Sequence, residues 1–108
     1  MKVTELAAKA ELKTFNTGGD KEIRGVYISD MVSDIIGIGD GNLLVTLQTH
    51  KNVIAAANLV DVAAIVFSRG KVPADDVIAL ATKAGIGLLG FEGDTWTLAK
   101  KLYEIGIR

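Results

Sequence analysis

Hydrophobic residues form two patterns that alternate along the chain: continuous apolar runs, and segments in which an apolar residue recurs every three or four positions. Three segments, Leu43–Leu47, Ala63–Phe67 and Ile86–Phe91, are continuous apolar runs of strand length. Strands that are apolar on both faces are covered by helices on both sides, which is typical of a parallel sheet. A further strand is predicted at Ile23–Ile28, and a short one at Leu12–Phe15.

Helical segments lie before, between and after these runs. Apolar residues recur every three or four positions from Val3, Val53, Val77 and Leu98, and a short helix is predicted at Met31–Ile36. Helices placed in this way connect one parallel strand to the next by right-handed crossovers. The pattern therefore predicts one α/β domain over residues 1–108. The expected architecture is a single-domain, three-layer fold with a mostly parallel sheet flanked by helices.

Polar residues and glycines mark the expected ends of these helices. Thr4 is placed to cap the first helix, and Asp94 or Thr95 to cap the last one. Gly85 follows the helix that begins near Val77, at the position where a glycine commonly ends a helix. The segment 16–20, Asn-Thr-Gly-Gly-Asp, is a strong turn signal.

Composition narrows the class of protein. Cysteine is absent and there is one histidine, which excludes disulfides, thiolate metal sites and histidine-only metal clusters within one chain. Twelve Lys+Arg against thirteen Asp+Glu leave a net charge of −1, which gives no global attraction to nucleic acid or to membranes. No apolar run reaches the roughly 18 residues of a membrane span, and the N-terminal segment does not have the pattern of a signal peptide. We therefore expect a cytoplasmic protein with no cofactor and no nucleic-acid or membrane partner.

Polar residues follow the predicted parallel strands. Ligands of parallel sheets gather outside the carboxyl ends of the strands, so these positions are the candidate ligand-binding residues. They are Ser29, Asp30, Gln48, Thr49, His50, Lys51, Asn52, Ser68, Arg69 and Gly70. The same residue types are ordinary helix N-caps, a role that Ser29 or Asp30 and Thr49 fit. Both interpretations stay open at this point.

The segment from Gln48 to Asn52 contains more hydrogen-bonding side chains than a helix N-cap needs. One side chain caps a helix, yet five hydrogen-bonding side chains stand in a row. A helix N-terminus also presents free N–H groups and a positive dipole end, and with His50 and Lys51 beside it that end can hold a phosphate or carboxylate. Arg69 from a neighbouring loop would add a bidentate clamp. The predicted ligand is a small anion or a nucleotide, although for His50 alone a surface or capping role is favoured.

Motifs for catalysis are sparse. The segment 37–41, Gly-Ile-Gly-Asp-Gly, precedes a strand, whereas a dinucleotide fingerprint follows one. The segment 16–20 lacks the Gly-Lys-Ser/Thr of a phosphate-binding loop. Asp30 and Asp34 are four residues apart and would share a helix face, but two carboxylates alone define no reaction. The sequence thus predicts no catalytic residue and no metal ligand.

A family resemblance is carried by four segments in order. They are GVYISDMVSDIIG, LLVTLQTHKNVIAAANL, AAIVFSRGKVPADDVIALATKAGIGLL and a threonine-containing last helix. Together they resemble the DRTGG domain, and most of all the stand-alone versions of anaerobic bacteria that are often encoded near iron hydrogenase genes. The resemblance implies an α/β domain related to the N-terminal domain of HPr kinase/phosphorylase, with a regulatory role.

The motif that names this family is altered in the chain. His50 and Lys51 stand where the family has an Asp-Arg pair at the start of a helix. Ser68, Arg69 and Gly70 stand where it has Thr-Gly-Gly, so that the final glycine alone matches. Similar proteins are sometimes labelled serine kinases, but the P-loop domain that phosphoryl transfer requires is absent. We therefore expect a protein that is not an enzyme.

Two functions from different classes remain open. The first is a regulatory or ligand-sensing domain, supported by the polar strand ends and by the resemblance. The second is an assembly module that docks to a protein partner such as a hydrogenase-related complex, because a mean hydropathy of +0.34 is high for a lone domain and suggests a covered surface. A homo-oligomer, at least a dimer, would satisfy the same observation. Trp96 and Tyr103 lie seven residues apart on the last helix, where packing at the edge of the core is favoured over an exposed binding stripe.

Overall fold

Five strands form one sheet at the centre of the protein. The computed structural model describes residues 1–107. The strands are β1 (Lys13–Thr14), β2 (Gly25–Ile28), β3 (Asn42–Thr46), β4 (Ala64–Phe67) and β5 (Gly87–Gly90). They lie in the order β1-β5-β4-β3-β2, with β1 antiparallel to β5 and the remaining pairs parallel. The two edges of the sheet are therefore β1 and β2.

Helices cover both faces of this sheet. They are α1 (Val3–Lys9), α2 (Val32–Ile35), α3 (Lys51–Leu59), α4 (Asp75–Ala84) and α5 (Thr95–Glu104). Helices α1 and α5 pack into the core on one face, and α2, α3 and α4 into the core on the other. The predicted three-layer α/β fold with a mostly parallel sheet is confirmed. Between residues 1 and 107, no helix has the length and apolar character needed to cross a membrane.

The central strands are apolar over most of their length because they serve two cores. Successive side chains of a strand point to opposite faces, so Leu43 and Val45 enter the core with α1 and α5, while Leu44 enters the other core. All three are fully buried, as is Phe67 at the end of β4. Burying a side chain of this size contributes roughly 1.5–3 kcal/mol. Two cores of this kind explain why the strands read as continuous apolar runs.

Two of the predicted helix ends are confirmed. Gly85 ends α4 in the left-handed conformation with φ of 77°, which costs a glycine little. Asp94 caps α5, where its carboxylate accepts a hydrogen bond of 2.8 Å from the Thr97 N–H. Both are local signals, since each involves residues within one turn of the helix end.

The predicted cap of α1 is wrong. Thr4 lies inside the helix, and its N–H and its hydroxyl both donate to the Asp20 carboxylate at 3.0 Å. The N-cap position is Lys2, whose side chain makes no capping bond. The first turn of α1 is therefore capped by a residue sixteen positions later in the chain.

The Gly-rich segment after β1 is a loop that packs tightly on β5. The Asn16 side chain donates to the Ile86 carbonyl at 3.0 Å and accepts from the Leu88 N–H at 2.8 Å. A Cβ atom added to Gly18 would stand 2.3 Å from the Gly87 nitrogen, so only glycine fits there. The loop interpretation holds, and the loop packs directly against the backbone at the start of β5.

Candidate ligand site at the carboxyl edge

The carboxyl ends of β2, β3, β4 and β5 meet at one edge of the sheet because these four strands are parallel. Each sequence-predicted site residue follows β2, β3 or β4 and lies in a loop or helix start at this edge. These residues differ in their hydrogen-bond partners and in their burial. Some bind neighbouring residues, one is buried, and four line an open groove.

Ser29 and Asp30 hold the end of β2 to its surroundings. The Asp30 carboxylate accepts from the Leu47 N–H at 2.8 Å and from the Thr46 hydroxyl at 3.2 Å, which ties the end of β2 to the end of β3. The Ser29 hydroxyl donates to Asp34 at 3.2 Å. The N-cap of α2 is Met31, so the prediction that Ser29 or Asp30 caps this helix is wrong. Asp30 also precedes the helix and shares no helix face with Asp34, contrary to expectation.

Ser68 is inaccessible to a ligand in this structure. It follows β4 and is 0% exposed. Its hydroxyl forms a hydrogen bond of 2.8 Å with the Thr95 hydroxyl at the start of α5. A buried hydroxyl needs such a partner, so this pair holds β4 and α5 together.

Arg69 and Gly70 form a tight left-handed turn. Their φ angles are 60° and 66°, and a positive φ is uncommon for an arginine. The Arg69 N–H donates to the Gly93 carbonyl at 2.8 Å and the Gly70 N–H to the Phe91 carbonyl at 2.9 Å. A Cβ on Gly70 would lie 2.9 Å from a Glu92 carboxylate oxygen. The turn is thereby fixed against the loop after β5, and the Arg69 side chain is left exposed.

An open groove of 510 Å³ lies between the start of α3 and the loop that enters α4. Its volume falls in the range of roughly 300–1,000 Å³ that small-molecule sites occupy. Four of the sequence-predicted residues line it, together with residues from the β4–α4 connection. The lining consists of Leu47, Gln48, Thr49, His50, Lys51, Lys71, Ala74, Asp76 and Val77. Ser29, Asp30, Asn52, Ser68, Arg69 and Gly70 do not line it.

His50 shapes the end of α3 that faces this groove. It is the N-cap, in agreement with the surface or capping role favoured for His50, and its Nδ1 accepts from the Asn52 N–H at 3.1 Å. Thr49, the other candidate, is not the cap. The neutral ring therefore carries its proton on Nε2, which remains a donor. The Val53 N–H also bonds to the His50 carbonyl, whereas the Lys51 N–H makes no hydrogen bond within residues 1–107. One backbone donor at the positive end of the helix dipole is thus available.

Two lysines make the groove cationic. Lys51 lies 3.8 Å from Asp76, but both side chains are more than half exposed, so this ion pair is weak. Lys71 forms no ion pair within the described part of the chain. Sequence reasoning missed Lys71, although it follows Gly70 directly in a loop that was already a candidate. Its place in the groove follows from the adjacency of β3 and β4, which sequence alone did not establish.

A second exposed surface lies away from the groove, on α5. Trp96 is 70% exposed and Tyr103 is 62% exposed. The expectation that both pack at the edge of the core is therefore wrong. Both rings lie at the surface on the flank of α5, and Tyr103 lines a groove together with residues of β2.

Comparison with solved structures shows which fold the chain resembles. No family model matches the chain, and no curated protein matches it significantly. Its structure superposes, with a TM-score of 0.70 and 14% sequence identity, on the CBS and DRTGG domains of the regulatory region of Clostridium perfringens pyrophosphatase, solved with the activator diadenosine tetraphosphate. The fold is DRTGG-like. The match covers 93% of this chain but 45% of the other, so the DRTGG-like chain spans under half of that regulatory region.

Proposed function

We propose that this chain is a non-catalytic regulatory domain that senses a small anionic ligand, a nucleotide or a phosphate compound, in the groove at the carboxyl edge. The observation that carries the proposal is the set of donors in this groove. They are the amines of Lys51 and Lys71, the Nε2 of His50 and the Lys51 N–H at the start of α3. Charged donors bind anionic oxygens about twice as strongly as neutral ones.

The structural neighbour supports a regulatory role for this fold. In the pyrophosphatase, the region with the CBS and DRTGG domains is regulatory, and its activator is a nucleotide, diadenosine tetraphosphate. The sequence resemblance to stand-alone DRTGG domains, and to the N-terminal domain of HPr kinase/phosphorylase, supports the same role. We propose that the present chain belongs to the stand-alone, hydrogenase-associated type and acts in the cytoplasm.

Binding at this groove would join two loops that come from different connections of the sheet. The β3–α3 loop contributes His50 and Lys51, while the β4–α4 connection contributes Lys71. An anion held by both would compete with Asp76 for Lys51, because the existing pair is long and exposed. The expected consequence is a closer approach of the two loops, which is a change that a partner protein can detect.

Thermal denaturation at low salt tests the proposal. The panel contains inorganic phosphate, AMP, ADP, ATP and diadenosine tetraphosphate. A ligand at 100 times its dissociation constant stabilises the folded state by about 2.7 kcal/mol, which raises the Tm by several degrees. The Lys51→Ala and Lys71→Ala variants should each lose this rise, while Lys83→Ala, an exposed lysine at the far end of α4, should keep it.

Two results would contradict the proposal. One is a panel in which no compound raises the Tm of the wild-type protein at millimolar concentration. The other is a rise that survives in the Lys51→Ala/Lys71→Ala double variant, because binding would then lie outside the groove. Circular dichroism of the variants without ligand shows whether the fold is preserved.

The alternative function is an assembly module that docks to a protein partner such as a hydrogenase-related complex. The exposed aromatic side chains of α5 favour it, since large exposed apolar patches mark interaction sites. A docking module predicts that Trp96→Ala abolishes partner binding and that Lys51→Ala has little effect. The two functions are therefore separated by variants on opposite faces of the sheet.

A further inference from the structure

The edge strand β2 and the adjacent flank of α5 form one continuous apolar surface. Val26 and Ile28 of β2 line an open groove of 690 Å³ together with Ala99 and Tyr103 of α5. A second depression on α5 shares Ala99 and Tyr103 and adds Trp96. These five residues are called the edge face below. It is separate from the cationic groove, which lies beside α3 and α4.

The edge face is large enough to be the centre of a protein interface. Trp96 and Tyr103 are 70% and 62% exposed, and Ile28 is 49% exposed. The two aromatic side chains alone present on the order of 300 Å², given the area that such side chains bury in interfaces. A stable dimer buries roughly 800 Å² per partner. Two residues would thus supply more than a third of that area before backbone and rim are counted.

The strand that borders this face is an open edge without the usual protection. No strand of the described chain pairs with the outer side of β2. The four residues of β2, Gly-Val-Tyr-Ile, contain neither a charge nor a proline, the features that commonly prevent edge-to-edge pairing. The opposite edge, β1, has two residues and includes Lys13. The two edges differ, and β2 is the one suited to pair with another strand.

We infer that the edge face binds a second copy of this chain around a twofold axis. An axis perpendicular to the sheet sets β2 against β2 and α5 against α5, each pair antiparallel, so one operation satisfies the strand edge and the helix flank together. The aromatic side chains of each copy then enter the 690 Å³ groove of the other.

The charges beside the edge face favour a copy over a foreign partner. Lys100 and Glu104 stand one turn apart on the exposed rim of α5, next to Trp96 and Tyr103. A twofold axis at the height of Leu102, midway between them, places Lys100 of one copy opposite Glu104 of the other, twice. A surface that carries both signs in this order is complementary to itself, which an isologous interface requires.

Sedimentation equilibrium with charge-reversed variants tests this arrangement. Lys100→Glu and Glu104→Lys each place like charges across the axis and should weaken the dimer several-fold. An equimolar mixture of the two single variants should form heterodimers of wild-type strength, because the glutamate introduced in one copy then faces the lysine introduced in the other. The double variant Lys100→Glu/Glu104→Lys should also dimerise as the wild type does. Restoration by mixing is a result that loss of folding does not produce.

Removal of the aromatic rings provides a second measurement. Trp96→Ala and Tyr103→Ala should each weaken the dimer roughly tenfold or more. Leu59→Ala is the control, since Leu59 is 72% exposed on α3 at the opposite face of the sheet. A wild-type protein that stays monomeric at 100 μM or more would overturn the inference, as would a dimer that Trp96→Ala leaves unchanged. Both outcomes are independent of ligand binding in the cationic groove.

Discussion

At the scale of single residues, His50 combines a structural role with a proposed binding role, and the two are separable. Its Nδ1 caps α3, while the other ring nitrogen is left for a ligand. His50→Ala should lower the free energy of unfolding by about 1 kcal/mol through loss of the cap. His50→Asn should restore most of this stability, because asparagine is a strong N-cap. Urea denaturation at pH 7 measures the difference between the variants.

The ligand response of the same variants tests the second role. If the imidazole binds the anion, the ligand-induced rise in Tm should be reduced in both variants, including the stable His50→Asn. A full rise in His50→Asn would restrict the role of His50 to capping.

Substitution by alanine should be tolerated differently at Gly18 and at Gly85. Gly18 has no room for a Cβ, which would stand 2.3 Å from the Gly87 backbone. Gly85 has φ of 77° but open space around it. Gly18→Ala should therefore cost roughly 3 kcal/mol by overpacking, whereas Gly85→Ala should cost only about 1 kcal/mol of backbone strain. Thermal denaturation of the two variants gives the comparison, and equal losses would contradict the close approach at Gly18.

Residue roles could be predicted from the sequence only where the partners are local. Gly85 and Asp94 act within one helix turn, and both were predicted. Asp20 caps α1 from sixteen residues away, which no local pattern reveals. His50 took the cap position expected of Thr49 because a histidine nitrogen can accept the same N–H that a threonine hydroxyl would.

At the scale of helices and strands, the N-terminus of α5 should respond to acid. Hydrogen bonds from Thr97, first its side chain and then its N–H, hold the pKa of Asp94 below the usual 3.8. A carboxyl with a lowered folded-state pKa stabilises the fold fully above pH 3.8 and loses this effect as the pH falls through the folded value. Asp94→Asn should therefore lower the Tm near pH 6, where the native carboxylate also interacts favourably with the helix dipole, and the loss should become smaller as the pH falls towards 2.

The matched experiment uses Asp20. The pKa of its carboxyl is also lowered, chiefly by the backbone N–H of Thr4, so Asp20→Asn should show the same pH dependence through α1. Tm values measured from pH 2 to pH 7 compare the variants with the wild type. An Asp94→Asn curve that stays parallel to the wild-type curve over this range would contradict the argument.

The positions of helices and strands were predicted more reliably than the solvent exposure of their side chains. Apolar runs located β3, β4 and β5 within one residue at each end, because burial on both faces favours apolar side chains along a strand. The exposure of Trp96 and Tyr103 was not predicted, since an aromatic residue on the flank of a helix is buried or open according to its neighbour. For Tyr103 that neighbour is the edge strand β2, whose residues line the same groove. Its position follows from the strand order, which no spacing along the chain encodes.

At the scale of the whole molecule, the strand order explains where a ligand site can form. The parallel strands follow one another in space as β5-β4-β3-β2, and the three helices that connect them lie on one face. The order never reverses among these strands, so there is no switch point at which adjacent loops diverge to opposite faces. The groove lies instead between the starts of α3 and α4, two helices that cover the same face of the sheet. The sequence could thus predict that the candidate residues lie at the carboxyl edge of the sheet, whereas the order of the strands determines which of them line the proposed groove.

The same topology places the proposed ligand groove and the edge face on opposite layers, and this predicts that they act independently. The groove uses α3, α4 and their loops, while the edge face uses β2 and α5, and no residue lines both. A ligand shifts an association equilibrium only by its differential affinity for the two states. The dissociation constant of the dimer should therefore change less than about twofold on saturation with ligand, since the two surfaces have no lining residue in common. Sedimentation equilibrium with and without ligand measures this. A larger change in the dissociation constant would mean that the sheet transmits the effect of ligand binding to α5. An unchanged dissociation constant would leave the α3–α4 face as the surface at which a regulated partner detects the ligand.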